Sequence, residues 1–229
     1  MKAALVTGGS SGIGLAIARA LREDGYELTL ASRTADKIET AAKELDAHAV
    51  AADVAREEDA VALVAKHRER FGRLDVLVNS AGIGIAGNIE QMSAKQWDLQ
   101  SGVNLRGLFL VTRESIPMLR ESRGLVVNLA SIAGTQPTPG LAAYGATKAA
   151  VISFTNSLNG ELDADGVRAI ALCPGFVDTP MAEWSGIPGG EMIQPEDCAE
   201  IVRMCLRLSP HARVPQVVVE RVGSGDTVG

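Results

Sequence analysis

The sequence predicts an α/β fold in which one doubly wound parallel sheet of about seven strands carries helices on both faces. Short β-rich runs alternate along the 229-residue chain with longer segments of helical periodicity. The richest of these runs are apolar on both faces, as strands buried between two helical layers must be. Because 46% of the residues are hydrophobic and the length suits one domain of this type, we expect a single domain over residues 1–222 and a mobile tail over 223–229.

The predicted elements follow one another in a regular order. The seven predicted strands are KAALVT, YELTL, AHAVAA, LDVLVN, GLVVNLA, VRAIALC and VPQVVVERV. The segments between them have the apolar spacing of amphipathic helices, from GLAIARALRED near the start to PEDCAEIVRMCLRL near the end. Parallel neighbours need a crossover helix, so this alternation places ligand sites beyond the carboxyl ends of the strands.

The charge and hydropathy of the chain argue against nucleic-acid and membrane partners. The formal net charge is -6 and there is no run of Lys or Arg, so no basic field is expected. No apolar stretch approaches the roughly 20 residues needed to cross a bilayer, and MKAALVTGG reaches glycine too early for a signal peptide. We therefore expect a cytoplasmic protein that acts on a small molecule.

Neither the cysteines nor the histidines suggest a metal site. The three cysteines lack a C-x-x-C spacing, which favours buried thiols in a reducing compartment. The three histidines are scattered away from any ligand cluster, so we predict ordinary surface or loop histidines and no metal. These residues are Cys173, Cys198, Cys205, His48, His67 and His211.

The first strand runs directly into the glycine-rich turn TGGSSGIG and then into the first helix. Gly8, Gly12 and Gly14 let the chain turn tightly, bring backbone N–H groups against a pyrophosphate and aim a helix N-terminus at its charge. Their spacing is neither the G-x-G-x-x-G fingerprint nor a Walker motif, and a tight turn with a serine cap is the alternative. The position at the start of a βαβ unit favours a dinucleotide site.

The second strand ends in LASRT, at the place where an acid would bind the ribose 2′-hydroxyl of NAD. Ser32 replaces that acid, and the guanidinium of Arg33 can bind a 2′-phosphate, so NADP(H) is the predicted cofactor. A solvated surface arginine is the alternative. Asp36 is either a displaced ribose acid or a first-turn acid of the next helix. Asp53, after the third strand, would accept from an adenine amino group or cap the helix beginning near Arg56.

Tyr144 and Lys148 lie one helical turn apart on the same face of a predicted helix. A tyrosyl hydroxyl exchanges a proton near neutral pH only if its anion is stabilised, which an adjacent ammonium can do. An incidental pair is the alternative. Ser131, at the carboxyl end of the fifth strand, argues against an incidental pair, because a hydroxyl there can bond a substrate carbonyl oxygen. Taken alone, Ser131 would equally suit a turn or a helix cap. Asn104 either bonds across the core or marks a distorted helical turn.

Two further strands end in small residues. The fourth ends in NSAG, residues 79–82, and the sixth in CPGFVDTP, residues 173–180. For each segment there are two alternatives. The small residues let a nucleotide approach the backbone closely, or they form an ordinary connection from a strand to a loop.

Taken together, these segments resemble the short-chain dehydrogenase/reductase family in order and approximate spacing, over about residues 3 to 220. The resemblance implies a Rossmann-type fold and an oxidoreductase that interconverts a carbonyl and a secondary alcohol, and LASRT resembles the NADP-preferring members. It implies that Tyr144 transfers the proton and that Lys148 lowers the Tyr pKa and holds the nicotinamide ribose. Ser131 would orient the carbonyl, and Asn104 would anchor a water in the proton path. The segments are TGGSSGIG, NSAG, Asn104, Ser131, Tyr144-x-x-x-Lys148 and PGFVDTP.

The resemblance also implies the residues that line the cofactor. Along its adenosine and pyrophosphate half would lie Ser10, Ser11, Ile13, Arg33, Asp53, Val54 and Asn79, with Ala81 and Gly82 of the NSAG motif beside them. Around its nicotinamide would lie Pro174, Gly175, Val177 and Thr179, together with Tyr144 and Lys148. Because dimers and tetramers are common in the family, we expect a homodimer or homotetramer.

The segment between Met181 and Ile193 departs from the family pattern because it is short, so the substrate pocket is expected to be open. Its candidate apolar walls, which would equally suit a subunit contact, are Met181, Trp184, Ile187 and Met192. Two other functions remain open on the same scaffold. One is an NADPH-binding sensor or regulatory protein without turnover, and the other is an epimerase or dehydratase.

Overall fold

The computed structural model of the protein describes residues 1–223. A seven-stranded sheet runs through it in the order β3-β2-β1-β4-β5-β6-β7, with all neighbours parallel. The predicted α/β class with a doubly wound parallel sheet is confirmed, as are all seven predicted strands. Apart from Gly223, the predicted tail lies outside the described residues. The strands are β1 (Lys2–Thr7), β2 (Tyr26–Ser32), β3 (His48–Ala51), β4 (Val76–Asn79), β5 (Leu125–Leu129), β6 (Arg168–Pro174) and β7 (Gln216–Val219).

Helices cover both faces of this sheet because alternate strand residues point to opposite sides. Ala4 and Val6 of β1 pack in one apolar cluster with α1, α2 and α7, whereas Leu5 packs in a second cluster with α3, α5 and α6. No helix within the described residues has the length and hydropathy of a membrane span. The helices are α1 (Gly12–Glu23), α2 (Ala35–Glu44), α3 (Glu57–Phe71), α4 (Ala94–Ser101), α5 (Leu108–Ser122), α6 (Ala142–Glu161) and α7 (Pro195–Arg207).

The helical segment between residues 94 and 122 is divided in the structure. A π-helical turn over Gly102–Gly107 separates α4 from α5. Such turns interrupt the regular i to i−4 bonding and occur often at functional sites. Asn104 lies within this π-helical turn. One of the two alternatives considered for Asn104, a distorted helical turn, is therefore present.

One histidine lies in the core, not at the surface or in a loop as expected. His67 on α3 is fully buried, with its Nδ1 2.8 Å from Thr29 Oγ1 and its Nε2 3.0 Å from the Arg73 carbonyl oxygen. Burial lowers the pKa of His67 to about 4, so the ring is neutral at neutral pH. The expectation is wrong for His67 because a neutral ring with both nitrogens paired can be buried at little cost. The three cysteines are buried free thiols, as predicted.

Candidate active site

The glycine-rich turn forms one side of a groove at the carboxyl ends of β1, β2 and β4. Gly8 and Gly12 have φ angles of +66° and +52°, which favour glycine. A Cβ on Gly8 would lie 2.8 Å from the backbone of Ser80 and Ala81, so the chain approaches more closely than a side chain allows. Ser11, at the N-cap of α1, makes no capping hydrogen bond, which leaves the first N–H groups of the helix for an anion.

Most of the predicted cofactor residues line this groove or the cavity that continues it. The groove is lined by Gly8, Ser10, Ser11, Gly12, Ile13, Arg33, Asp53, Val54, Ala81, Gly82 and Thr179. The cavity is lined by Ile13, Gly82, Tyr144, Lys148, Pro174, Gly175, Val177 and Thr179. Ile13, Gly82 and Thr179 belong to both, so the two spaces form one continuous site.

Two exposed cations border the groove at the end of β2. Arg33 and Lys37 both line it, and neither side chain makes an ion pair or hydrogen bond with any residue between 1 and 223. Lys37 was not predicted from the sequence. The sequence did contain a sign of its role. A lysine in the first turn of α2 is unfavourable beside the positive end of the helix macrodipole, so its position there suggests that it binds an anion.

Two predicted cofactor residues line neither the groove nor the cavity. A Cβ on Gly14 would lie 2.4 Å from the Gly8 carbonyl oxygen, so this glycine serves the packing of the turn itself. Asn79 is buried, and its Nδ2 donates to Thr112 Oγ1 at 3.0 Å and to Asn128 Oδ1 at 2.9 Å. Because successive side chains alternate at the strand end, Ser80 faces the groove instead.

The two aspartates left open by the sequence have separate positions. Asp53 lines the groove, and its Oδ1 accepts from the backbone N–H of Ala55 at 3.1 Å. It therefore stabilises the turn that precedes α3 and also remains beside the groove. Asp36 lies in the first turn of α2 and is not among the groove residues. Of its two alternatives, the role of an acid in the first turn of a helix therefore fits this position.

Close packing of α6 against the turn after β5 brings the predicted catalytic residues together. A Cβ on Gly145 would lie 2.6 Å from the Ala133 carbonyl oxygen, and one on Gly134 would lie 2.6 Å from the Lys148 carbonyl carbon. The first turns of α6 therefore rest directly on the backbone that follows Ser131. Neither glycine had been assigned a role from the sequence.

Ser131 and Lys148 are buried, and both interact with Tyr144. Ser131 Oγ accepts from the Ala133 N–H at 3.2 Å, and the Ser131 hydroxyl also hydrogen-bonds with Tyr144. Lys148 Nζ donates to the Leu129 carbonyl oxygen at 2.6 Å and lies 5.6 Å from the Tyr144 ring centroid. Ser131 thus has both roles considered from the sequence, because it caps a turn and also lies next to the phenol of Tyr144.

The pKa values of this group differ from the expectation for Tyr144. Burial raises the pKa of Tyr144, and the hydrogen bond with Ser131 only partly opposes that shift. Burial also lowers the pKa of Lys148 to about 8. Because burial dominates the pKa of Tyr144, the lowering that the resemblance implies for Lys148 stays a prediction for the site with a nicotinamide dinucleotide bound.

Asn104 crosses from the π-helical turn to the loop after β4. Its Oδ1 accepts from the Ile83 N–H at 2.8 Å, and its Nδ2 donates to the Ile83 carbonyl oxygen at 2.9 Å and to Thr147 Oγ1 at 3.1 Å. Both alternatives raised for Asn104 are therefore correct. The amide fixes the NSAG loop to α6 at the residue before Lys148.

An apolar cavity of about 180 Å³ lies beside Tyr144. Of the four predicted walls, Met181 and Trp184 line it, whereas Ile187 and Met192 do not. Leu141 and Phe176 also line the cavity and were missed, because they come from segments far apart in the sequence with no local signal. The site thus joins a groove with exposed cations to an apolar cavity, and Tyr144 lines the cavity.

Known proteins are similar to this chain in sequence and in fold. A family model described as short chain dehydrogenase matches residues 2–186. An uncharacterized oxidoreductase of Staphylococcus epidermidis is 36% identical over 224 residues, which cover 96% of this chain and 97% of the relative. An alcohol dehydrogenase from the archaeon Thermococcus sibiricus, solved with 5-hydroxy-NADP, superposes with a TM-score of 0.91 at 33% identity over 97% of each chain.

A 3-ketoacyl-(acyl-carrier-protein) reductase from Brucella melitensis, solved with NADH, gives a TM-score of 0.88 at 34% identity over 96% of each chain. The family match covers most of the chain, and the relatives cover nearly all of it. The catalytic residues named from the resemblance also meet at one site. The chain therefore belongs to the short chain dehydrogenase family.

Proposed function

We propose that the protein is an NADP(H)-dependent oxidoreductase that interconverts a carbonyl compound and a secondary alcohol. The observation that carries this proposal is that Tyr144 lines the apolar cavity together with Ser131 and Lys148, next to the groove that this cavity continues. A proton donor there faces a space large enough for a small substrate. A nicotinamide dinucleotide, when bound, supplies or accepts the hydride that this reaction requires.

The groove suits such a dinucleotide. The backbone of the glycine-rich turn and the uncapped start of α1 would hold the pyrophosphate. Arg33 and Lys37 would hold a 2′-phosphate, because both cations are exposed and without a protein partner among the described residues. The similar solved structures carry an NADP derivative in one case and NADH in the other, so the preference for NADP(H) rests on these two side chains.

The residues of this chain provide the proton chemistry. Because burial raises the pKa of Tyr144, the phenol keeps its proton at neutral pH and can donate it to the oxygen of a carbonyl that is being reduced. The Ser131 hydroxyl bonds the same oxygen and holds it near the phenol. Protonated Lys148 stabilises the tyrosinate that remains, and Asn104 keeps the loop and α6 in register around it.

Replacement of Tyr144 by Phe tests the reaction. We expect NADPH oxidation with a panel of ketones, aldehydes, keto acids and β-ketoacyl thioesters to fall by about 10²- to 10⁴-fold in Tyr144→Phe. NADPH binding, followed by thermal stabilisation, should remain. Tyr26→Phe is the matched control, because the chain has two tyrosines and Tyr26 lies outside the groove and the cavity.

The two other functions give different results in this assay. A sensor would bind NADPH without turnover that depends on Tyr144. An epimerase or dehydratase would convert its substrate with no net consumption of NADPH. Stoichiometric cofactor oxidation that is lost in Tyr144→Phe would reject both.

Replacement of Arg33 by Asp tests the cofactor. An acid at this position would repel a 2′-phosphate and accept from a ribose 2′-hydroxyl, so the ratio of kcat/KM for NADPH to that for NADH should fall by at least about tenfold. An unchanged ratio would reject the NADP(H) proposal and leave the oxidoreductase proposal intact. The cytoplasmic location and the homodimer or homotetramer stay predictions.

A further inference from the structure

We infer that the cavity beside Tyr144 accepts small uncharged carbonyl compounds with an apolar substituent, and that Gly84 sets how large this substituent can be. The inference rests on the proposed function, whose substrate class it names. Three observations support it: the near absence of charged side chains in the cavity lining, the exposed aromatic side chains at the mouth of the cavity, and the space beside Gly84.

The lining of the cavity offers no partner to an anionic substrate. Among the described residues that line it, Lys148 is the one side chain that carries a formal charge at neutral pH. Its Nζ is buried and already donates to the Leu129 carbonyl oxygen at 2.6 Å. A carboxylate that entered the apolar part would lose its hydration without gaining a cation, which disfavours its binding.

An aromatic and aliphatic wall stands at the mouth of the same cavity. The rings of Phe176 and Trp184 meet edge to face with centroids 6.0 Å apart. Trp184 is 60% exposed and Met181 is 45% exposed, although both line the cavity. A substrate with an apolar group placed here would remove this surface from water, and burial of that kind is the main driving force for binding apolar ligands.

Gly84 leaves an open space between Tyr144 and Met181. A Cβ on Gly84 would lie 3.8 Å from Cδ2 and Cε2 of Tyr144 and 3.9 Å from Met181 Sδ. These are ordinary van der Waals distances, so a methyl group would fit without displacing its neighbours. It would occupy space directly beside the phenol that reacts.

The backbone at Gly84 is held on both sides by buried amides. Asn104 Oδ1 accepts from the Ile83 N–H at 2.8 Å, and Gln100 Oε1 accepts from the Ile85 N–H at 2.9 Å. Gln100 and Asn104 are both buried. The loop therefore cannot easily move away from a bulkier substrate, and the position of Gly84 becomes a fixed limit on size.

The volume of the cavity agrees with a small substrate. Its 180 Å³ includes the space bordered by Pro174, Gly175 and Thr179, which the nicotinamide is expected to share. The remainder is smaller than the roughly 300–1,000 Å³ typical of sites for drug-sized ligands. Larger substituents would have to extend through the mouth past Trp184.

Three matched ketones test the inference by steady-state kinetics with NADPH. They are butanone, cyclohexyl methyl ketone and 4-acetylcyclohexanecarboxylate. We expect kcat/KM for cyclohexyl methyl ketone to exceed that for its carboxylate analogue by at least about tenfold. Gly84→Ala should lower kcat/KM for cyclohexyl methyl ketone about tenfold more than for butanone, in the range that one added methylene gives in an apolar pocket.

Gly160→Ala is the matched control because a Cβ on Gly160, in α6, would meet no atom within 4 Å. It should leave the ratio between the ketones unchanged. Equal losses for butanone and cyclohexyl methyl ketone in Gly84→Ala would overturn the role of Gly84. A preference for the carboxylate analogue would overturn the assignment of uncharged substrates.

A binding measurement separates this inference from the proposed reaction. Trp97 lies outside the cavity, so Trp97→Phe leaves Trp184 as the sole tryptophan of the two in the chain. Cyclohexyl methyl ketone should then change its fluorescence in a saturable manner, whereas the carboxylate analogue should not. If this selective response appears but no carbonyl compound is turned over, the proposed function fails and the binding preference stands. If neither turnover nor a saturable response appears, both fail.

Discussion

The dinucleotide groove and the catalytic end of the site hold their functional groups in different ways. In the groove, residues 8 and 10–13 of the glycine-rich turn line one side, and the side chains of Arg33 and Lys37 are exposed without a partner among the described residues. At the catalytic end, Ser131 and Lys148 are buried and bonded to backbone groups. We expect substitutions in the groove to change affinity alone, whereas those around Tyr144 change geometry and stability together.

Gly145→Ala should show the rigidity of the catalytic end most strongly. The added Cβ would lie 2.6 Å from the Ala133 carbonyl oxygen, so α6 must shift away from the turn after Ser131. Because a displacement near 1 Å can cost about 10²-fold in rate, we expect kcat for ketone reduction to fall by about that factor. The melting temperature should fall as well.

Gly160→Ala provides the control on the same helix, because its Cβ has no neighbour within 4 Å. It should leave kcat unchanged and stabilise α6 slightly through the higher helix propensity of alanine. A Gly145→Ala protein with normal kcat would show that Ser131 and Tyr144 do not depend on this close contact.

Asn79→Ala separates a structural role from a cofactor contact. Removal of the amide leaves the buried Thr112 and Asn128 side chains without its two hydrogen bonds, which should lower the free energy of unfolding by about 1–3 kcal/mol. Because Asn79 does not line the groove, the Kd for NADPH should change little. Denaturant unfolding and NADPH titration measure the two effects.

The exposed Asn156, on α6, is the control, and Asn156→Ala should change neither quantity appreciably. A large rise in the Kd of Asn79→Ala with unchanged stability would restore the cofactor contact that the sequence analysis expected.

The pH dependence of reduction should follow the charge on Lys148. Its pKa is lowered to about 8, so it is protonated below that pH and loses its charge as the pH rises through it. Since the charged form stabilises the tyrosinate left by proton transfer, kcat/KM for reduction should be level below pH 8 and decline about tenfold per pH unit above it.

Lys148→Met should remove this decline and lower the rate at neutral pH. A decline near pH 8 that persists in Lys148→Met would assign it to another group. Steady-state rates at constant ionic strength provide the comparison.

The sheet could be predicted because its pattern is local. Each strand is a short apolar run, and the glycine-rich turn, LASRT and Tyr144-x-x-x-Lys148 are contiguous segments, so a role could be predicted for each of them even though alternatives remained. The π-helical turn around Asn104 was open only as an alternative, because it depends on how the amide fits the backbone of Ile83. Local sequence does not contain that distance.

The substrate cavity could be predicted least. Gly84, Leu141 and Phe176 meet there from three separate segments, and no spacing in the chain relates them. The tight contact between Gly145 and the Ala133 carbonyl was equally hidden, since a glycine in a helix need not mark a close contact, as Gly160 in the same helix shows. The raised pKa of Tyr144 followed from burial that the sequence could not measure.

Lys37→Ala should give the smallest effect, since Lys37 is exposed to salt and solvent and would contact a single phosphate at most. We expect KM for NADPH to rise about three- to fivefold, KM for NADH to stay constant and the melting temperature to stay within error, because no described residue depends on this side chain. Lys43→Ala, also exposed on α2 but outside the groove, is the matched control. Since an exposed charge is screened, the increase should shrink as salt is raised. An equal rise in KM for NADH would mean that Lys37 acts on the part of the dinucleotide that NADPH and NADH share. A fall in the melting temperature would show that substitutions in the groove also affect stability, as those at the catalytic end do.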